Sequence, residues 1–328
     1  MKLLGKIKNQ EVYAYTLETS KASVEILTLG AIINKFSIKM KSGEVRNIVS
    51  SASTLEEHAA STGYFGQVVA PNANRIKVGK YTLDGKTYQC ELNNGANNLH
   101  SGSANAGYKV WSVLSADDNS IVLETTHKDG EASFPGNMVI RVKYTLVGSK
   151  LTIEYEVSTD SKSLCNITNH AYFNLNGTCS SVLEHQVETS CDYYLDVDET
   201  SIPVAKVFVE NTDFDFRNKT KLSARRGGAY DHFFVFGKDK YLNLYNDDLA
   251  LKVLSDQEGI QIYSAEFTKL DNPILEGKSD IFQAVALETS GYPDAINNAD
   301  YPSVVITKDN KYTSFTSYEI VELWLLLV

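Results

Sequence analysis

The sequence predicts an all-β protein, a large β-sandwich folded as a single domain over residues 1–328. Three observations carry that expectation. Short alternating or continuous apolar runs recur along the whole chain, separated by turn residues rather than carried by helical periodicity. Tyrosine and phenylalanine are abundant, at 19 and 13 residues, and both suit half-buried sheet surfaces. No strand–helix alternation, Pro- or Ser-rich linker or internal repeat breaks the pattern. A chain of 328 residues would admit two domains, but large sandwiches run this long as one.

Taken in order, Val24–Leu29 and Ala31–Ile38 read as the first clear strands. Thr54 with Glu57 has the spacing of a capping box and predicts a short helix through about Ser61. Asp84-Gly85 between Lys80–Leu83 and Lys86–Gln89 predicts a hairpin with a type I′ turn, which needs positive φ at both central residues. Ile121–Thr126 is the next strand. Met138–Val147 and Leu151–Val157 form a second hairpin around Gly148–Lys150, with Leu151, Ile153, Tyr155 and Val157 on one face. Leu249–Leu254, Ile260–Ser264 and Val304–Thr307 complete the strands. The tail Val321–Val328 is apolar but far too short to span a bilayer, and reads as a packed strand.

Composition narrows the function classes. Hydrophobic residues at 43% and charged residues at 22% are ordinary for a globular protein with a sizeable core. The formal charge of −10 argues against nucleic acid or an anionic membrane as partner. The first residues contain no long apolar run of the secretory type. Cys90, Cys165, Cys179 and Cys191 form no CxxC pair and read as reduced thiols, so a cytoplasmic protein is expected. Gly79–Thr87 looks like a phosphate loop, but five residues separate Gly79 from Gly85 where four are needed, and it lies on the first hairpin. The six histidines show no HExxH or paired spacing, so a metal site has little support. There is no G-x-S-x-G elbow and no G-x-G-x-x-G opening a helix.

The most informative stretch is Cys165–Gly177, CNITNHAYFNLNG. It sets His170 in a strand-like apolar run among Asn166, Asn169 and Asn174. A lone histidine there is more often a satisfied core residue, but amide neighbours and a titratable imidazole suit a sugar. Three further stretches carry polar groups where a β protein carries turns: Asn72–Ile76 (NANRI), Asn93–Gly102 (NNGANNLHSG) and Leu287–Ala295 (LETSGYPDA). Singly, each residue has a bland reading. Arg75 suits a surface ion pair, His100 a capped turn, Asp231 a turn cap after Gly227-Gly228, and Gln261 a solvent-facing strand position between Ile260 and Ile262. Glu288 is harder to dismiss, because it follows the apolar run Ala284–Leu287. A carboxylate at the end of a buried strand has a raised pKa, as a general base requires.

Over nearly its full length the chain resembles the aldose 1-epimerase, or galactose mutarotase, family. The resemblance runs through Val12–Leu29, NANRI, the LDGKTYQCELNNG…NLH block, SFPG at Ser133–Gly136, ITNHAYFNLNG, TDFDFR at Thr212–Arg217, YDHFF, GIQIYSAEF and LETSGYPDAINNADYP. It implies a β-supersandwich, no cofactor, no metal, and interconversion of the α and β anomers of hexoses such as galactose and glucose. Carried over by motif, Glu288 and His170 are the catalytic pair. Arg75, His100, Asp231 and Gln261 hold the monosaccharide, with Asn74 beside Arg75. The chemistry fits: opening a hemiacetal removes the C1 hydroxyl proton and protonates the ring oxygen, the work of a carboxylate and a protonated imidazole. The chain departs from the pattern at His100-Ser101-Gly102, where HGG is usual, and at Gly107-Tyr108-Lys109, a shortened GFDK. It departs again at Ala70-Pro71-Asn72, where Gly-Arg or Gly-Pro usually precedes ANR, and after Tyr318. Three readings stand beside this one: a glycosidase using Glu288 and Asp231, a non-catalytic sugar-binding protein, and a hexose-6-phosphate 1-epimerase, which would need further cations at the pocket.

Overall fold

Alternation decides which side of a strand is dry, and it is cleanest at Met138–Val147 and Lys150–Thr159. In the computed structural model, which describes residues 1–323, these strands pair antiparallel across a turn at Gly148 and Ser149. Ile140, Val142, Tyr144 and Leu146 on one strand, and Leu151, Ile153, Tyr155 and Val157 on the other, are buried. Lys150, expected in the turn, already pairs with Val147. The hairpin belongs to a nine-stranded antiparallel sheet running Ser112–Ala116, Ser120–His127, Met138–Val147, Lys150–Thr159, Tyr312–Glu322, Leu249–Ser255, Tyr241–Tyr245, Gln186–Thr189 and Thr220–Lys221.

A seven-stranded antiparallel sheet runs Pro203–Phe208, Tyr193–Val197, Asp231–Val235, Gly259–Tyr263, Val285–Ser290, Tyr172–Phe173 and Val49–Ser50. A five-stranded sheet takes the N-terminal segments in chain order, from Lys2–Ile7 to Val45–Asn47. The three sheets share one apolar core, to which they contribute Val24 and Phe36, Val142 and Leu251, and Ile262 and Leu287. Each such side chain stabilises the fold by about 1.5–3 kcal/mol of burial.

Most expected elements form, with shifts that have local causes. Two strands not expected, Lys2–Ile7 and Gln10–Glu18, precede the first two expected ones, which form as Ala22–Leu27 and Ile33–Lys39 because Gly30 (φ 63°) and Ala31 (φ 49°) turn the chain and the Ile33 amide donates instead to the Gly66 carbonyl. Asp84 (φ 50°) and Gly85 (φ 76°) have the backbone of the type I′ turn. Val304–Thr307 shortens to Val305–Ile306, paired with Ser163–Leu164. The helix is Leu55–Ala60, and Thr54 Oγ1 accepts from the Glu57 amide as expected. The other half of the capping box is absent. The Glu57 carboxylate accepts instead from the amides of Asp271 (2.8 Å) and Asn272 (3.0 Å), tying the helix to the loop before Ala284. Val321 and Glu322 end the last strand, Leu323 follows it outside the strand, and residues 324–328 of the expected tail strand lie outside the described residues. All four cysteines are free thiols. Among the described residues no helix is long and apolar enough to cross a membrane.

The site is prepared by the two faces of the seven-stranded sheet. Ile260, Ile262, Val285 and Leu287 point into the shared core. Gln261 and Glu288, directly opposite each other in register, point the other way, as do Tyr263 and its partner Asp231. Gln261 therefore does not face solvent, the bland reading of its alternation. It is buried on the polar face.

Candidate active site

A cavity of about 210 Å³ sits on that polar face, lined by all seven residues singled out from the sequence. Three stand on adjacent strands: Asp231 opens Asp231–Val235, Gln261 centres Gly259–Tyr263, and Glu288 lies within Val285–Ser290. Glu288 is two residues short of the strand end and only 4% exposed. The others reach the cavity from loops and two-residue strands. Arg75–Ile76 pairs with Asn98–Leu99, which sets Asn74 and Arg75 beside His100. His170 does not lie within a strand. It falls in the break between Thr168–Asn169, which pairs with Val68–Val69, and Tyr172–Phe173, which joins the seven-stranded sheet. Gly66 makes the break possible. Its amide donates to the His170 carbonyl (2.9 Å), its φ is +69°, and an added Cβ would lie 2.3 Å from the Ile33 carbonyl oxygen.

The polar side chains form a closed network. Gln261 Nε2 donates to Asp231 Oδ1 (2.6 Å), and Asn74 Nδ2 donates to Gln261 Oε1 (3.2 Å). Asn74 Oδ1 accepts from the Arg75 amide (2.8 Å), and Arg75 Nη2 returns to Asp231 Oδ2 at 3.6 Å. Arg75 Nε donates to Asn94 Oδ1 (3.0 Å). His170 Nε2 faces Glu288 Oε1 at 3.4 Å, with both side chains almost fully buried.

Burial dominates the electrostatics. It drives the Glu288 carboxyl well above the usual carboxylate range, helped by Asp231 and opposed by Arg75. It depresses His170 to about 3, and pushes His100 well below its ordinary value with help from His170 and Arg75. The sequence suggested a protonated imidazole beside a carboxylate. Burial favours the opposite form, a carboxylic acid beside a neutral imidazole.

A polar cavity with a carboxyl–imidazole pair at its floor is thus built from the motifs that carry the resemblance. The sequence model of the aldose 1-epimerase family matches residues 13–319. The chain belongs to the aldose 1-epimerase family. Galactose mutarotase of Sus scrofa is 32% identical over 323 residues, covering 93% of this chain and 93% of its own. Aldose 1-epimerase of Escherichia coli (strain K12) is 29% identical over 319 residues, covering 91% and 92%. Among solved structures, an aldose epimerase homologue from C. elegans has a TM-score of 0.91 at 26% identity, covering 95% of this chain and 100% of that one. Galactose 1-epimerase from Lactobacillus acidophilus NCFM shares the fold, with a TM-score of 0.85 at 22% identity over 98% and 97% of the two chains.

Against this family background the site holds groups that sequence reasoning missed. Tyr172, two residues after His170, packs its ring 5.0 Å from the imidazole, and Tyr64 packs 5.7 Å from it. Tyr64 also lies 4.5 Å from His100. Phe267 is 83% exposed at the cavity mouth, and Asn94 braces Arg75. Tyr172, Phe267 and Asn94 all fall in the motif blocks, so their signal was present. Tyr64 precedes NANRI by eight residues and had none. His100, His170 and Glu288 also bring potential metal-ligand atoms within 4.8 Å of one another, a grouping that no sequence spacing reveals. The donor chemistry opposes a metal. The Asn74 amide donates to His100 Nδ1 (3.1 Å), so the neutral ring carries its proton on Nε2 and offers the cavity a donor rather than a lone pair. A ligating histidine has the reverse arrangement, with its second N–H donated outward to an acceptor.

Proposed function

We propose that this aldose 1-epimerase family member interconverts the α and β anomers of free aldohexoses such as galactose and glucose. The observation that carries the reading is the buried Glu288–His170 contact at the floor of a polar cavity. Its relatives' names, galactose mutarotase and aldose 1-epimerase, support it.

In the proposed reaction the Glu288 carboxylate takes the C1 hydroxyl proton while the His170 imidazolium protonates the ring oxygen. The pair holds one transferable proton, so it titrates as a unit. The active form is the charged tautomer, which burial disfavours and which Arg75 and the ring faces of Tyr64 and Tyr172 favour. Discharging it into the sugar leaves a carboxylic acid, a neutral imidazole and the open aldehyde. That is the protonation state burial prefers, so ring opening relieves the charge held in a dry site. Rotation about C1–C2 and return of both protons close the ring on the other face. Arg75, Asp231 and the Nε2–H of His100 hold sugar hydroxyls. Gln261 uses both ends of its amide on Asn74 and Asp231, so it chiefly fixes those two.

A hexose-6-phosphate is disfavoured. Arg75 is the one Lys or Arg among the described residues lining the cavity, and its guanidinium is already engaged by Asn94 and Asp231. In the glycosidase reading Asp231 would act chemically, but its Oδ1 is occupied by Gln261. Four free thiols suit a reducing compartment, and we assign the protein to the cytoplasm.

The test is polarimetry on freshly dissolved α-galactose with a chelator present. Faster decay of optical rotation with protein is expected. Equal decay with and without protein overturns the reading, and cleavage of nitrophenyl glycosides at a similar rate favours the glycosidase.

A further inference from the structure

Two of the positions where the chain departs from its family's pattern, Asn72 and Ser101, touch each other. Ser101 Oγ accepts from the Asn72 amide (2.7 Å) and donates to the Asn72 carbonyl (3.0 Å), and Ser101 is fully buried. Together the two bonds imitate a backbone pairing. They extend a ladder whose regular rungs are Ile76 with Asn98 and Arg75 with Leu99. The next rung joins His100 and Asn74. The His100 amide donates to the Asn74 carbonyl (3.0 Å), and the Asn74 amide donates to His100 Nδ1 (3.1 Å). The Ser101–Asn72 pair is the rung beyond it.

The ladder needs side chains here because the backbone has left strand geometry. His100 (φ 50°), Ser101 (φ 65°) and Gly102 (φ 54°) are consecutive left-handed residues, and Asn74 (φ 60°) is another. Only glycine takes that conformation without strain. Ser101 therefore stands where glycine would be the relaxed choice, and its hydroxyl repays the strain with two hydrogen bonds.

We propose that Ser101 is a positioning residue for sugar binding: with Asn72 it clamps the His100 segment to the Asn74–Arg75 segment and holds the His100 Nε2–H toward the cavity. Both bonds go to the Asn72 backbone, so the hydroxyl of Ser101 is the side chain that makes the clamp. His100 and Arg75, which bind on the proposed function, are held as one unit. The chemical pair Glu288 and His170 lies outside the clamp, so its loss weakens sugar binding more than proton transfer.

The inference rests on the mutarotase reading for its kinetic arm only. Ser101→Ala removes the clamp and keeps the strain, whereas Ser101→Gly removes both and folds even where alanine does not. In each variant KM for galactose should rise about three- to tenfold, with kcat within about twofold, as expected when one buried pairing that orients a ligand is lost. Two-bond 1H–15N spectra of the histidine rings supply the second arm. The wild type should show His100 as a single Nε2–H tautomer with a hydrogen-bonded Nδ1, and the variants a tautomer mixture. Wild-type KM in both variants overturns the proposal. So does a raised KM with an unchanged His100 tautomer, because the effect would then not pass through the clamp. If the wild type fails to hasten mutarotation, the functional reading falls, while the spectra still decide whether Ser101 holds His100.

Discussion

Asp231, Gln261 and Glu288 stand on three neighbouring strands of one sheet, whereas Tyr64, Asn74 and His100 reach the same cavity in left-handed backbone, at φ 57°, 60° and 50°. Register holds the first group. Each side chain faces the cavity because its strand neighbours face the core, and turning one away means slipping a whole strand. Nothing periodic holds the second group. Each left-handed residue costs about 1–3 kcal/mol that surrounding contacts must offset, and those contacts include side-chain hydrogen bonds between loops and one from Asn74 to Gln261 on the sheet. The proposed acid–base pair bridges the two halves, with Glu288 on the sheet and His170 in the break between two short strands. Chemistry should therefore be most sensitive to the pair, binding to the loop half, and folding to both.

The largest effect tests the pair. Glu288→Gln keeps shape and register, so the sheet half is undisturbed while the proton acceptor is lost. Turnover should fall roughly a hundred- to ten-thousand-fold with KM changed much less. A folded variant with near-wild-type turnover would show that the base is elsewhere. His170→Asn should depress turnover at saturating sugar in the same way. It should also remove or move the alkaline limb of the pH–rate profile, which reports loss of the shared proton. An unchanged limb would transfer the acid role to His100.

Acid should reach both halves. All six histidines are depressed, chiefly by burial: His170 to about 3, His58, His185 and His232 to about 4, and His100 and His127 in the same direction. The unfolded chain therefore binds more protons below its ordinary histidine pKa of about 6.5, and stability falls as pH drops from there toward about 4. Each histidine contributes a slope of about 1.4 kcal/mol per pH unit within its window. Glu288 acts with the opposite sign. Its raised folded pKa costs stability as pH rises through the ordinary carboxyl value, as do those of Glu266 and Asp294, but these are three groups against six. Melting temperature should drop steeply between pH 6 and 4, and a flat profile there would mean that the histidines are not buried neutral.

A smaller effect isolates backbone strain in the loop half. Asn74→Gly and Asn74→Ala both lose the contacts to Gln261 and the Arg75 amide, so both should raise KM several-fold. Only glycine accepts φ 60° freely, so the alanine variant should be less stable by about 1 kcal/mol. Equal melting temperatures would show that Asn74 carries no strain.

The same division explains what the sequence disclosed. Alternation at Leu151–Val157 and the Asp84-Gly85 turn specify strands locally, and both formed as expected. Glu288 could be singled out because an apolar strand ending in a carboxylate breaks a local rule. Gln261 looked solvent-facing because alternation says which residues share a face, not what covers that face. The Glu57 carboxylate left its capping box for amides more than two hundred residues away, a competition no local window contains. Loop positions 100 and 101 could be named, but not their left-handed backbone or the Ser101–Asn72 pairing, since neither residue type implies positive φ. The protonation of the pair was also out of reach, because burial sets it and burial is a property of the whole fold.

The smallest expected effect concerns Tyr64, the aromatic residue that sequence reasoning missed. Its ring packs against both His100 and His170, and its φ of 57° is unfavourable for a side chain of its size. Burial pushes its phenol far above its ordinary pKa, so the hydroxyl stays protonated at any working pH and cannot serve as a base. If the ring matters and the hydroxyl does not, Tyr64→Phe should keep turnover and KM within about threefold of wild type, because the ring faces beside the imidazoles remain. Tyr64→Gly accepts the same backbone at no steric cost but opens the loop half to water. Its turnover should fall further than that of the phenylalanine variant, since the faces that favour the His170 imidazolium are reduced to that of Tyr172. A hundred-fold loss in Tyr64→Phe would contradict this ordering. It would make the phenol a participant in proton transfer and move part of the chemistry into the loop half.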